Sequence, residues 1–295
     1  MTPSRRGARP TGSRVTAHDD TPMQSKRPTF CIRTVSLALV LIVTLLSSPA
    51  QSQRTRSSTY ARQQRNSEKG LHDNRYFFYF INTSITNLGT DEEKKLFKEA
   101  IQRDIIAQQL YMKFLFGESW DEIRKAQKIL IDLYRKALNR DIAMSKKLLN
   151  GFAPGVVKSD TFMPRHYLRL GYRDTEDARI DLVMADNFQE QLYSMRLYRY
   201  SKAIKKVKHG KRYAMLALLE TKISHDARTE FGYKTYDELK KLITEASDDT
   251  NRDNNLLVHA DNYYKSKDDK SLFDSVWENP DLFEIPEYRH YLEIQ

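Results

Sequence analysis

Six basic residues fall within eleven positions, Lys202, Lys205, Lys206, Lys208, Lys211 and Arg212, directly after the tyrosines Tyr193, Tyr198 and Tyr200. Side chains of one sign packed this closely raise the local field, and tyrosines beside them supply contact area that loses water readily. That combination suits an acidic protein surface, with anionic lipid a poorer fit. Basic residues interleaved with aromatics also bind nucleic acid, a partner set aside here because the chain carries an export signal. The plainer reading is a solvated helix face on which lysine stems cover apolar neighbours.

Other constellations offer less. The chain has no glycine-rich phosphate loop, no G-x-S-x-G elbow and no H-E-x-x-H motif. Glu287-Tyr-Arg-His290 has the Glu-x-x-His spacing of di-iron bundles, but such a site needs a second copy and two further glutamates. His72, His166, His209, His225, His259 and His290 are scattered, and the acidic pairs Asp248-Asp249 and Asp268-Asp269 are too short for a calcium loop. Asn82-Thr-Ser84 matches a glycosylation acceptor, which carries weight only in a eukaryotic host. The reading is therefore of a non-enzymatic protein without catalytic residues, cofactor or metal.

The compartment is written near the start. Thr34 to Leu46 is an unbroken apolar run preceded by Lys26, Arg27 and Arg33 and followed by SSPAQSQ, the layout of a secretory signal. It is shorter than the ~20 apolar residues that a membrane-spanning helix requires. No stable membrane anchor is expected after cleavage, which should follow Ala50 or Ser52. Met23 would give a signal of ordinary length, which marks residues 1–22 as a doubtful extension. Cys31, the only cysteine, precedes the apolar run, so the mature chain has no thiol chemistry. Residues 1–50 hold seven Lys or Arg against two Asp or Glu, and the rest of the chain therefore keeps only about half of the +10 net charge.

Sparse punctuation, ten Gly and nine Pro in 295 residues, favours long helices as the elements that carry these residues. Thr90–Glu93, Ser119–Glu122 and Thr235–Glu238 each have the capping-box pattern that opens a helix. Apolar residues then recur at helical spacing, to about Phe116 from the first box and to Asn150-Gly151 from the second. A short helix is expected at His166 to Tyr172, and a long one capped by Asp174 or Thr175 that Gly210 interrupts. Asn74 to Leu88 is ambiguous, since its aromatics would also suit a strand. The expected fold is all-α, an elongated and repeat-like array of antiparallel helical hairpins. Its divisions are an export segment (1–52), a polar flexible lead (53–73), a main helical domain (74–246) and loosely attached short helices with a tail (247–295).

Three stretches, Asn74 to Phe114, Arg165 to Ile180 and Ser194 to Lys222, resemble the flagellar-coiling protein B family of leptospiral spirochaetes. The resemblance implies a helical component of the sheath around the periplasmic flagellar filament. Its implied partners are flagellar-coiling protein A and other filament or sheath proteins, and its implied role is filament coiling and cell motility. It supplies no catalytic residue. A periplasmic helical-repeat adaptor unrelated to flagella has the same sequence features, and a divergent hydrolase would need a polar pocket of convergent ionisable groups.

Overall fold

The computed structural model describes residues 48–158, 162–220, 230–246 and 252–293. The export run at Thr34 to Leu46, His225 and Asp248-Asp249 lie outside the described residues. The chain divides into two units, residues 1–55 and 56–295, and the packed helical body lies in the second. The described residues form nine α-helices with three short 3₁₀ turns and no strand, so the fold is all-α.

The first helix, α1 (Ser48–Leu88), takes in both the polar lead and the aromatic segment. Neither a flexible lead nor a strand is present. Phe77, Ile81 and Ile85 stand four residues apart along one face with Phe78 beside them, and all four are buried. This is a helical stripe, and burying each side chain stabilises the fold by about 1.5–3 kcal/mol. The polar residues nearer the start of the helix, Ser67, Asp73 and Asn74, are buried as well. The lead is thus held by specific hydrogen bonds where it lacks apolar mass.

Helix α2 (Asp91–Met112) opens on the expected box: Glu93 N–H donates to Thr90 Oγ1 at 3.2 Å and Thr90 N–H to Glu93 Oε2 at 3.0 Å. The second box is not a cap. Helix α3 (Phe116–Lys158) has already begun one turn earlier, and the Ser119 hydroxyl donates instead to the Ala107 carbonyl at 2.9 Å, tying α3 back onto α2. The same helix runs on past Gly151 and Pro154. Helix α4 (Phe162–Asp186) is continuous where two helices were expected, because Thr175 lies mid-helix with its hydroxyl on the Gly171 carbonyl, one turn back.

Helix α5 (Tyr193–Leu219) passes straight through Gly210. A Cβ there would stand 2.5 Å from Thr175 Oγ1 and 3.0 Å from Ser145 Oγ, and one on Gly171 would stand 2.6 Å from Leu149 Cδ2. These two glycines let α4 and α5 approach backbone to backbone. They are packing residues, not breaks.

Side-chain bonds give the directions. Ser67 reaches Phe116, Gln127 reaches Asn74 and Tyr134 reaches Phe77, so α1 and α3 run parallel. Glu93 meets Arg140 while Arg103 meets Glu122, so α2 is antiparallel to α3. Asp186 sits by Arg135 and Thr175 by Ser145, which sets α4 antiparallel to α3. Tyr198 reaches Asp73 and Lys208 reaches Thr83, so α5 lies along α1 in the same direction. Successive helices therefore alternate, and the contact of α5 with α1 brings α1, α3 and α5 around one core.

The remaining helices are α6 (Tyr236–Ala246), which keeps its expected capping box at Thr235, α7 (Arg252–Asn262), α8 (Leu272–Glu278) and α9 (Tyr288–Glu293). They are not a loose appendage. His259 and Asp261 of α7 are buried. The first turn of α8 is capped from α1, Leu272 N–H donating to Thr86 Oγ1 at 3.1 Å and Phe273 N–H to Asn82 Oδ1 at 3.4 Å. Leu282, Ile285 and Tyr291 pack on Ile106 and Leu110 of α2.

Candidate functional site

The basic segment of α5 does not form one surface. Leu197, Tyr200, Ile204, Lys208, Lys211 and Met215 succeed one another at intervals of three or four, which places both lysines on the buried stripe. Helical periodicity thus divides the cluster in two.

Inside, the Lys208 ammonium donates to Thr83 Oγ1 and Asp261 Oδ1, each at 2.7 Å, and lies 4.2 Å from the Tyr264 ring centre. Lys211 donates to Asp261 Oδ2 at 2.7 Å and Asp141 Oδ2 at 3.1 Å. The Thr83 and Ser84 hydroxyls both donate to Asp261 Oδ1 at 3.0 Å. Arg140, 3.6 Å from Asp141, extends the chain of charges to Glu93. Signs alternate along the whole series. Burial alone would raise the Asp261 carboxyl, but Lys208 and Lys211 hold it well below the usual carboxylate range. Burial depresses Lys208, whereas Lys211, between two carboxylates, overcomes the same penalty and stands above an ordinary lysine.

Outside, Lys205 donates to Tyr76 Oη at 2.8 Å and lies over Phe80, and Lys206 pairs with Asp181 at 2.8 Å. Arg212 caps the Asn262 carbonyl of α7 at 2.7 Å. Lys202 is exposed. Tyr200 is buried beneath a stack with Tyr134, Tyr193 carries the Arg124 guanidinium 3.6 Å above its ring, and Tyr198 donates to Asp73 Oδ1 at 2.6 Å. The expected docking surface is corrected accordingly. Lys208, Lys211 and Tyr200 are interior, and Lys205, Lys206 and Arg212 already have partners within the chain.

A second charged group, missed in the sequence, fastens the C-terminal tail. Buried Glu122 accepts from Arg103 at 3.0 Å, Lys125 at 2.6 Å and the Tyr291 hydroxyl at 2.9 Å, while Glu287 pairs with Lys125 at 3.1 Å. Glu287, of the Glu-x-x-His pattern, is thus an ion-pair partner. No group of three or more His, Cys, Asp or Glu that could hold a metal ion occurs among the described residues.

A third group has, among the described residues, a single opposite charge near it, the exposed guanidinium of Arg75. Asp104 of α2 is buried and accepts from Asn74 Nδ2 at 2.7 Å and Gln108 Nε2 at 2.9 Å, with Asn74 braced in turn by Gln127 at 3.1 Å. Burial outweighs these bonds and pushes the Asp104 carboxyl up to about 6.

Among the described residues no helix is long and apolar enough to cross a membrane. A family model described as surface protein adhesin OmpL37 matches residues 61–289. No curated protein and no solved structure matches the chain.

Proposed function

We propose, from the premise that this chain belongs to the surface protein adhesin OmpL37 family, that it is an extracytoplasmic, non-enzymatic protein acting through its outer surfaces. More narrowly, it is a component of the sheath on the periplasmic flagellar filament. The observation that carries the non-enzymatic reading is the closed charge series of Lys208, Lys211, Asp141 and Asp261. The two buried lysines of the basic segment are neutralised in the interior by aspartates of α3 and α7, and with Thr83 and Ser84 of α1 they join α1, α3, α5 and α7 into one body. Groups enclosed in this way position helices and stand out of reach of a substrate in solvent. The sheath assignment rests on the resemblance of Asn74 to Phe114 and Ser194 to Lys222 to flagellar-coiling protein B.

The family's description favours a second reading, an adhesin on the cell surface. Labelled antibody separates the two. The sheath reading expects labelling of purified filaments and none of intact cells, together with altered filament curvature and swimming in a deletion strain. Labelling of intact cells and bare filaments would replace it with the adhesin. A protein found on neither is a periplasmic adaptor of another kind.

A further inference from the structure

Between α1, α2 and α8 lies a cavity of about 330 Å³, lined by Arg75, Phe78, Tyr79, Asn82, Asp104, Phe273, Asp274 and Trp277. Its walls are aromatic. Trp277 is 41 % exposed and stacks on Phe273 at 5.5 Å and 16°, and Phe273 leans on buried Phe78 at 5.4 Å. Tyr79, 60 % exposed, is fixed from outside by a stack on Tyr264 at 5.5 Å and 15°. The rings are held by one another and the space between them is open.

Polar capacity converges on the same space. Asn82 Oδ1 already serves Thr86 and Phe273, which leaves its Nδ2 donors without a partner among the described residues. Asp274 Oδ2 accepts from Ser271, and Oδ1 remains. The Arg75 guanidinium is exposed and acts on Asp104 through its charge alone, which leaves its N–H donors free among the described residues. Asp104 accepts one bond on each oxygen, and a carboxylate has sites for about four. Each of these groups is planar and presents paired donor or acceptor directions. At neutral pH the lining sets one guanidinium, Arg75, against two carboxylates, Asp104 and Asp274, so the cavity repels anions and offers a neutral ligand hydrogen-bonding groups of both kinds.

We propose that this cavity is a binding site for a neutral pyranose ring. The C–H bonds on one face of a sugar ring are weakly positive and lie well against the negative face of an aromatic ring. Its vicinal hydroxyls match the paired directions of amide, carboxylate and guanidinium groups. The volume is at the lower end of the ~300–1,000 Å³ of ligand pockets, room for roughly one or two rings. The proposal rests on the cavity alone, and where the protein resides in the cell does not bear on it.

The test is titration of the purified chain with maltose, lactose and chitobiose, read by calorimetry and saturation-transfer NMR. At least one should bind saturably. Arg75→Ala should weaken that binding about tenfold while leaving the helical body folded, since Arg75 is exposed and touches Asp104 only through its charge. Trp277→Ala should abolish it. If that variant loses α8, seen as a lower melting temperature, Arg75→Ala decides alone. Failure of all three sugars to bind, or binding to Arg75→Ala within about twofold of the unaltered chain, overturns the proposal.

Discussion

Asp261 and Asp104 are both buried carboxylates on helices of the same body, and they are driven in opposite directions. Asp261 faces two ammonium groups and two hydroxyls, and its carboxyl is pulled down. Asp104 faces two neutral amides, with exposed Arg75 as the weakest of the influences that lower it, and is pushed up to about 6. Burial is the larger single influence at each and acts in the same sense. The difference lies in what the burial is shared with. An amide relieves a carboxylate of some lost hydration but adds no net charge, whereas two lysines replace that hydration and exceed it. The region around α7 is therefore a charged lock, and the region beside α8 a poised acid at the wall of an open cavity.

The sharpest way to break this contrast is Asp261→Ala. It strands Lys208 and Lys211 in the interior with Asp141 as the remaining carboxylate, and removing one partner of a buried pair costs about 3–5 kcal/mol. Urea denaturation should show that loss. A change below about 1 kcal/mol would mean that water reaches the lysines and that the lock is not dry.

The pH profile sharpens the contrast at smaller scale. Asp104 has a folded value near 6 against 3.8 for a free carboxyl, so between these limits the folded state binds the extra proton. Its contribution to stability is present below about pH 4 and lost as pH rises to about 6, on the order of 1–3 kcal/mol. Asp261 has the reverse sign, stabilising above the ordinary carboxylate range and losing that effect as pH falls. Asp104→Asn should flatten unfolding midpoints between about pH 4 and 6 and leave the acid limb in place. An unchanged slope over that window would refute the assignment.

The smallest effect is expected from Arg179→Ala. Arg179 donates to Glu176 one turn away at 2.5 Å, shorter than either lysine bond to the Asp261 carboxylate, yet both are solvent-exposed. No resolvable shift in melting temperature should result. A clear drop would show that proximity, not burial, governs these pairs.

Parts of this were legible in the sequence. The boxes at Thr90 and Thr235 act as helix starts because each Thr–Glu pair closes on its own backbone. Ser119 and Glu122 have the same residue types, but the Ala107 carbonyl and the Arg103 guanidinium claim them. Local pattern holds no trace of that competition. Asn74 to Leu88 reads as strand or helix until the four-residue spacing of Phe77, Ile81 and Ile85 meets α3 and α5. The inward direction of Lys208 and Lys211 could have been read from their step along Tyr200, Ile204 and Met215. Their partner could not, since Asp261 lies 50 residues beyond Lys211. The cavity was hidden for the same reason, because α1 and α8 meet through bonds between residues 186 and 191 positions apart.

The placement of Asp261 also bears on the order in which the protein is made. A chain is synthesised from its N-terminus, so α1, α3 and α5 exist, with both lysines in them, before the carboxylate that neutralises the pair. Until α7 arrives, closing the helices would seal two like charges against Asp141 alone, and hydration favours leaving that end ajar. A product cut short before residue 261 is expected to stay in this open condition, and limited proteolysis of such a truncated chain should cleave within α5, which the full chain protects.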